Sequence, residues 1–151
     1  MTQLNHVISY KYLICNSKRM GEIGMGHALL PEEILIGMLK IGKFNKFIAP
    51  SHFLHRTVYD LRKNAKFTAL LKPFRFSGSP AAPFSEVLEH ALFNLQYSNK
   101  LKRFNPDLVE YQTSEETDIY YDKIVKPKID SDLQKTISDL ALKITSLQSK
   151  S

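Results

Sequence analysis

The stretch SEVLEHALFNLQYSNKLKRFNPDLVEYQTS, residues 85–114, decides the fold, because a helical pattern in it runs directly into an alternating one. Ser85 is suited to cap a helix, since its hydroxyl can accept a hydrogen bond from a free backbone N–H of the first turn. The apolar residues that follow recur at helical spacing and predict one buried face. These residues are Leu88, Ala91, Leu92 and Leu95.

The opposite face of this predicted helix is aromatic. At about 100° per residue, Phe93 and Tyr97 project away from the leucine stripe, with Glu86, His90 and Asn94 beside them. Such a helix is either sandwiched within its own fold or offered to a partner. We therefore take His90, Phe93, Asn94 and Tyr97 as candidate contacts to a DNA base or to a protein partner.

Two short strands are predicted after this helix. Leu101 and Phe104 approach a turn at residues 105–107, which read Asn-Pro-Asp, and Val109 and Tyr111 alternate away from it. The pattern predicts a small antiparallel β ribbon.

Two further helices are predicted upstream. Pro31 suits the first position of one, with Glu32 and Glu33 next to the positive helix end, and Gly42 is expected to end it. Its apolar stripe consists of Ile34, Leu35, Met38 and Leu39. The next helix is expected to begin at a Ser51 cap and to stop at Asn64, with a stripe formed by Leu54, Val58 and Leu61.

A strand and a loop are predicted between these helices and Ser85. Residues 74–76 read Phe-Arg-Phe, which predicts a short strand with its aromatic rings on one face. The loop after it contains Gly78 alone among glycines, and Pro80 and Pro83 lack the backbone donors that a phosphate-binding loop needs. The loop is therefore not interpreted as a phosphate site.

A last helix is predicted from Ser131, where Ser-Asp-Leu-Gln forms a capping-box pattern with Gln134, and Pro127 is expected to start a break before it. Its apolar residues step by four and three, which is typical of a short heptad seam that either docks onto the parent domain or forms a homodimer. The seam consists of Leu133, Ile137, Leu140, Ile144 and Leu147.

The net charge of +6 is unevenly spread along the 151 residues. Residues 34–75 hold nine basic residues against one acid, whereas residues 86–139 hold eleven acids against seven bases. This asymmetry predicts a basic face that contacts a polyanion and an acidic face elsewhere. The candidate phosphate contacts are Arg56, Lys63, Lys66, Arg75, Lys100, Lys102 and Arg103.

Several classes of protein are disfavoured by composition. Cys15 is the single cysteine, so no internal disulfide is expected, and the absence of a basic leader or a long apolar stretch favours the cytoplasm over a membrane. His52 and His55 lie three residues apart, and His27 or His90 could in principle join them, but no cysteine or spaced carboxylate completes a site. We therefore interpret His52 and His55 as surface residues rather than a metal site. No nucleophile motif is present, and we expect neither catalysis nor a cofactor.

The order helix, helix, short strand, helix and two-stranded wing is that of a winged helix. The chain resembles a loose group of small prokaryotic winged-helix domains that includes Panacea-type domains associated with toxin–antitoxin loci. The resemblance covers about residues 34–116, in the stretches FLHRTVYDLRKN, FRFSGSPAAPFSEVLEHALFNLQYSNKL and LVEYQTSEE. The chain departs from the group at SPAAPFS, which replaces the usual turn, and at Asn99, where these domains commonly carry glycine. The 21 residues from Asn64 to Phe84 are also more than a tight helix-turn-helix allows.

These observations predict an α+β, winged-helix-like fold that is rich in helices, with a small antiparallel β ribbon and an added C-terminal helix. Residues 1–30 are expected to form an N-terminal extension, residues 31–114 the domain, and residues 115–151 a linker and an amphipathic helix. The predicted function is non-catalytic, DNA-associated regulation. The contacts with double-stranded DNA are expected to be weak or non-specific, because the third helix begins with Glu86 and Glu89 and carries no Arg or Lys. The alternative is a protein-interaction subunit of a toxin–antitoxin or phage-defence complex, binding through the third and last helices.

Overall fold

A computed structural model describes residues 28–48, 51–104 and 110–149 of the chain. Within these residues the fold is α+β, with six α-helices and a three-stranded antiparallel sheet. Most of the predicted N-terminal extension, the Asn-Pro-Asp turn and Val109 lie outside the described residues.

Helix α1, Pro31–Ile41, begins with Pro31 at its first position, as predicted. The buried Glu33 carboxylate accepts a hydrogen bond from the Leu30 backbone N–H at 2.9 Å, and its other oxygen pairs with Lys128. This arrangement satisfies an N–H at the helix start. The predicted apolar stripe is buried, and Ile36 is buried with it.

The end of α1 is confirmed at Gly42, but the left-handed residue there is Lys43, with φ of 59°. Gly42 itself has an ordinary φ of −74°. A Cβ at Gly42 would lie 2.8 Å from the Cβ of Ala141 and 2.7 Å from the Met38 carbonyl oxygen. The Phe44 ring is closer still, with Cε2 at 2.5 Å. Glycine is therefore required at this position because the Phe44 ring, the Met38 carbonyl and another helix leave no room for a side chain, and not because the backbone turns left.

Strand β1, Lys46–Ile48, was missed in the sequence, because three residues are too few for a recognisable alternation. Helix α2, Ser51–Arg62, follows and buries the predicted stripe of Leu54, Val58 and Leu61. Helix α2 ends before Asn64, as predicted. Asn64 also begins a short helix, α3, Ala65–Leu71, by accepting a hydrogen bond from the Lys66 N–H at 3.0 Å.

Helix α3 was not predicted, and it lies within the 21 residues from Asn64 to Phe84 that were expected to separate the second and third helices. The predicted strand at residues 74–76 is also wrong. Phe74 is fully buried and Arg75 is exposed, so the faces alternate as expected, but no neighbouring strand pairs with these residues. Only Ser77 and Phe84 form an isolated β-bridge, which closes the loop at its ends.

Helix α4, Glu86–Tyr97, begins at the predicted Ser85 cap, whose hydroxyl accepts from the Leu88 N–H at 3.2 Å. The predicted ribbon follows as β2, Leu101–Phe104, and β3, Glu110–Thr113. Strand β3 lies between β1 and β2, so the ribbon belongs to a three-stranded sheet in which Phe47 stands opposite Tyr111. The rings of these two residues stack with their centroids 5.1 Å apart.

The predicted linker after Ser114 is helical. Helix α5, Glu115–Tyr120, continues into a π-helical turn, Tyr121–Val125, and a 3-10 turn, Lys126–Lys128, that contains Pro127. The Thr117 hydroxyl donates a hydrogen bond to the Lys100 carbonyl oxygen and thereby joins α5 to the start of β2.

The last helix, α6, Ser131–Gln148, has Asp130 as its cap, so the predicted Ser131–Gln134 capping box is wrong by one position. The Asp130 carboxylate accepts from the Leu133 N–H at 2.8 Å. Helix α6 packs on α1, and the middle of its predicted seam is buried in the core. A homodimer through this seam stays a prediction, and it would require α6 to leave its own core. The buried seam residues are Ile137, Leu140 and Ile144.

Candidate interaction surface on helix α4

His55 fixes the start of α4 against α2. Its side chain is only 3% exposed, its Nδ1 accepts a hydrogen bond from the Ser85 backbone N–H at 3.0 Å, and its Nε2 lies 2.7 Å from Oε1 of Glu89. Because Nδ1 accepts, the ring proton is assigned to Nε2, which donates to the carboxylate. The prediction that His55 is a surface residue is therefore wrong, whereas His52 is exposed.

Both ring nitrogens of His55 are used in these hydrogen bonds, so neither is free to bind a metal. Across the described ranges, no group of three or more His, Cys, Asp or Glu side chains is placed to hold a metal ion. His27 and Cys15 lie outside those ranges.

Arg56 holds the loop before α4. Its guanidinium donates to the carbonyl oxygens of Pro80 and Ala81, both at 3.0 Å, and to the Asp60 carboxylate at 3.1 Å. The Phe84 ring stacks on His55 with a centroid distance of 4.7 Å. Helix α2 thus holds both the loop and the first turn of α4, which sets the direction in which the outer face of α4 points.

The outer face of α4 carries two exposed aromatic side chains. Phe93 is 62% exposed and Tyr97 82% exposed, and their rings stack with centroids 6.1 Å apart and an angle of 18°. His90 and Glu86, one and two turns before Phe93, are exposed on the same side. The sequence left open whether this face is buried within the fold or exposed to a partner, and in the structure it is exposed.

A groove of about 340 Å³ lies beside Tyr97, between α4, the start of α1 and α5. Leu30, which is 55% exposed, lines this groove. Asn94 lies across from it, and its side-chain amide donates to Oε1 of Glu32 at 2.8 Å. The candidate contact Asn94 is therefore joined to α1 and forms a wall of the groove.

Tyr120 and Lys100 complete the groove. The Lys100 ammonium lies 4.7 Å from the centroid of the Tyr120 ring, which is a cation–π contact. Burial, and then the carboxylates of Glu33 and Glu32, raise the pKa of the Tyr120 phenol to about 12. The phenol therefore stays neutral at neutral pH.

The predicted phosphate contacts lie on several elements and not in one cluster. Lys66 forms an ion pair with Asp139 of α6 at 2.5 Å. Lys63 lies 3.4 Å from the Asp60 carboxylate and 4.0 Å from the centroid of the Tyr59 ring. These cations are partly neutralised within the fold.

The remaining predicted cations, Arg75, Lys102 and Arg103, are exposed, and no carboxylate of the described residues forms an ion pair with them. Lys102 and Arg103 lie on β2, whereas Arg75 lies in the segment before the loop. Lys102 and Arg103 are therefore neighbours on an exposed strand, but as successive residues of β2 they point to opposite faces of the sheet.

Leu30 and Glu32 were missed as members of a functional surface. Their place beside Tyr97 depends on contacts between α1 and α4, which are about 60 residues apart in the sequence, so no local pattern identifies them. The sequence offered one signal, the apolar Leu30 immediately before Pro31, and such a residue does not by itself indicate a functional surface.

Comparison of the chain with protein-family models, with curated proteins and with solved structures found no match. Among the described helices, none is both long enough and apolar enough to cross a membrane. The assignment of a function therefore depends on the geometry of the surface itself.

Proposed function

We propose that this protein is a non-catalytic interaction module, built on a winged-helix-like scaffold, that binds a protein partner through the outer face of α4. The scaffold is supported by the order of the elements, since α1, β1 and α2 precede α4 and a hairpin follows it directly, with the short helix α3 inserted between α2 and α4. The position of β3 between β1 and β2 fits the same arrangement.

The observation that carries the proposal is the exposed, stacked pair of Phe93 and Tyr97. The inner face of α4 is fully buried, so this pair is not needed for the core. Aromatic side chains are enriched at the centres of protein–protein interfaces, where they contribute much of the binding energy. Two of them in contact, next to a groove, form a suitable centre for such an interface.

The charge of α4 favours a protein over DNA at this face. The helix contains no Lys or Arg, and Glu86 and Glu89 lie in its first turn. Phosphates would be repelled there, and the commonest contact to guanine in the major groove requires a basic side chain.

Site-specific photo-crosslinking tests the proposal. A photoreactive phenylalanine analogue at position 93 or 97 should give a discrete crosslinked protein in the source cells. The same analogue at Leu142, an exposed residue of α6, should not. Equal labelling from all three positions, or none from positions 93 and 97, would contradict the proposal.

A second candidate function, weak binding of double-stranded DNA, is favoured by the outer face of the sheet. Lys46 and Lys102 both stand opposite Gln112 in the strand register and lie on the face away from Leu101 and Tyr111. Arg103 is exposed as well, but it stands opposite Tyr111, so its side chain leaves β2 on the other face of the sheet. Lys46 also lies 3.8 Å from the Glu110 carboxylate. The two lysines therefore form a small, partly neutralised basic group on the outer face. Such a group contacts phosphates without reading a sequence.

A further inference from the structure

We infer that the partner presents a basic amphipathic helix to α4, with an apolar side chain that enters the groove beside Tyr97 and Lys or Arg side chains opposite the acids of α4. This inference rests on the proposed function, which states only that a protein binds there. It adds the chemistry of the segment that binds.

The negative charge on the exposed side of α4 indicates that the partner segment is basic. The protein has a net charge of +6, yet the exposed side of α4 holds Glu86 and Glu89 and no cation. Glu89 uses Oε1 for His55, which leaves Oε2 and a side chain that is 40% exposed. A locally acidic surface on a basic protein attracts a basic segment and repels an acidic one.

Glu32 extends the acidic side to the groove. It lies on the α1 side, where its Oε1 accepts from Asn94, and it lines the groove together with Leu30 and Tyr97. The lysine among the lining residues, Lys100, is directed to the Tyr120 ring. A cation of the partner would therefore meet carboxylates at the start of α4 and at the mouth of the groove.

The aromatic pair favours arginine as one of these cations. A guanidinium can stack on the face of an aromatic ring while it donates hydrogen bonds to a nearby carboxylate. Phe93 and Tyr97 offer ring faces that are mostly exposed, and Glu86 and His90 lie on the same side of the helix. Arginine suits this combination better than lysine does.

The spacing of the exposed residues favours a helix as the binding segment. Glu86, His90, Phe93 and Tyr97 step by four, three and four residues, so they form a straight stripe along α4. A second helix that lies along such a stripe meets each residue in turn, as in other helix-in-groove complexes. The stripe is about 16 Å long, at about 1.5 Å per residue.

Selection from a library of displayed helical peptides tests the inference. The bait is the full chain, and the Phe93→Ala/Tyr97→Ala double variant, first shown by circular dichroism to be folded, removes peptides that bind elsewhere. We expect enriched peptides to combine a stripe of apolar residues with an excess of Arg and Lys. Their affinity is then measured by fluorescence anisotropy for the wild-type chain and for Glu86→Gln.

Glu86→Gln should weaken binding about 2- to 5-fold at low salt, as expected for one exposed charge pair, and less at high salt. Leu142→Lys is the control, because it also adds one unit of positive charge, at an exposed position of α6. It should leave the affinity unchanged.

The outcomes separate this inference from the proposed function. The inference would be overturned if the peptides need Phe93 and Tyr97 but are neutral or acidic, or if their affinity does not change with Glu86→Gln. In either case the proposed protein-binding face would remain supported. If no peptide distinguishes the wild-type chain from the double variant, both statements are overturned. Basic, apolar peptides that respond to both changes would support both.

Discussion

His55 and Glu89 join helices α2 and α4 through a hydrogen bond of 2.7 Å between Nε2 and Oε1. The other ring nitrogen accepts from the Ser85 N–H, so one buried side chain holds the cap and the first turn of α4. The orientation of the exposed Phe93 and Tyr97 therefore depends on a buried residue of another helix. This dependence gives the first prediction.

His55→Ala should lower the free energy of unfolding by about 2–4 kcal/mol, because it leaves the buried Ser85 N–H without an acceptor and removes a hydrogen bond to a carboxylate. His55→Asn should recover part of this loss, since its side-chain oxygen can take the place of Nδ1. Urea denaturation measures the effect, with the exposed His52→Ala as the control. Equal stabilities of the two alanine variants would refute the structural role of His55.

Alanine substitutions at Gly37, within α1, and at Gly42, at its end, should change the stability of the fold in opposite directions. At Gly37 the nearest atoms to an added Cβ are Cδ1 of Ile129 and Cδ1 of Ile137, both at 3.6 Å, which is ordinary contact. Gly37→Ala should therefore stabilise the fold by about 0.5–1 kcal/mol, because alanine favours the helix interior.

Gly42→Ala should instead destabilise the fold by about 1–3 kcal/mol, the usual range for overpacking, since Ala141 and the Met38 carbonyl stand closer than 3 Å to the new Cβ. Thermal and chemical denaturation of both variants measure these effects. The packing of α6 on α1 would be in doubt if Gly42→Ala were as stable as Gly37→Ala.

Tyr120 should make the stability fall at alkaline pH. Its folded-state pKa of about 12 is above the usual value of 10.0, so the unfolded chain loses this proton first as the pH rises. The contribution is therefore fully present below about pH 10 and is lost between pH 10 and 12. Burial also raises the pKa of Tyr111 and Tyr121, which act in the same direction.

Tyr120→Phe should accordingly show a shallower fall in the free energy of unfolding above pH 10 than the wild-type chain. Urea denaturation between pH 8 and 11 measures the difference, and absorbance near 295 nm follows ionisation of the tyrosines directly. Below pH 9 the difference between the two proteins should be constant. A parallel decline of both proteins up to pH 11 would contradict the raised pKa.

Binding of duplex DNA, if it takes place through the sheet, should depend steeply on salt. Lys102→Ala/Arg103→Ala should weaken binding on every sequence and lower the slope of log affinity against log salt by about 2, one for each phosphate contact. Fluorescence anisotropy with a generic duplex measures both quantities. Lys63→Ala is the control, because Lys63 already pairs with Asp60. Unchanged slopes in the double variant would rule out this role for β2.

The helices were largely predictable, because their signals are local. Pro31, Ser85 and the leucine spacing of α4 each act within one or two turns, and the structure confirms them. Strand β1 and helix α3, of three and seven residues, were missed because they are too short to show a clear period. Their formation depends on tertiary contacts, such as the pairing of Phe47 with Tyr111.

The candidate surface was predictable only in part. The outward direction of Phe93 and Tyr97 follows from helical geometry, whereas their exposure depends on whether another element covers them. His55 shows the opposite case, because an isolated histidine gives no sign in the sequence that Ser85 and Glu89 will enclose it. Contacts between residues that are 30 or more positions apart leave no pattern in the local sequence.

The contact between α1 and α6 also has a consequence for synthesis on the ribosome. The apolar side of α1 is made about 90 residues before the helix that covers it, from Ile41 to Ser131. Synthesis proceeds at about 5–20 residues per second, so the apolar side of α1 stays uncovered by α6 for on the order of 5–18 s. During that interval the exposed apolar side of α1 offers a binding site to chaperones. A ribosome that stalls before Ser131 would leave a truncated chain that is prone to aggregate.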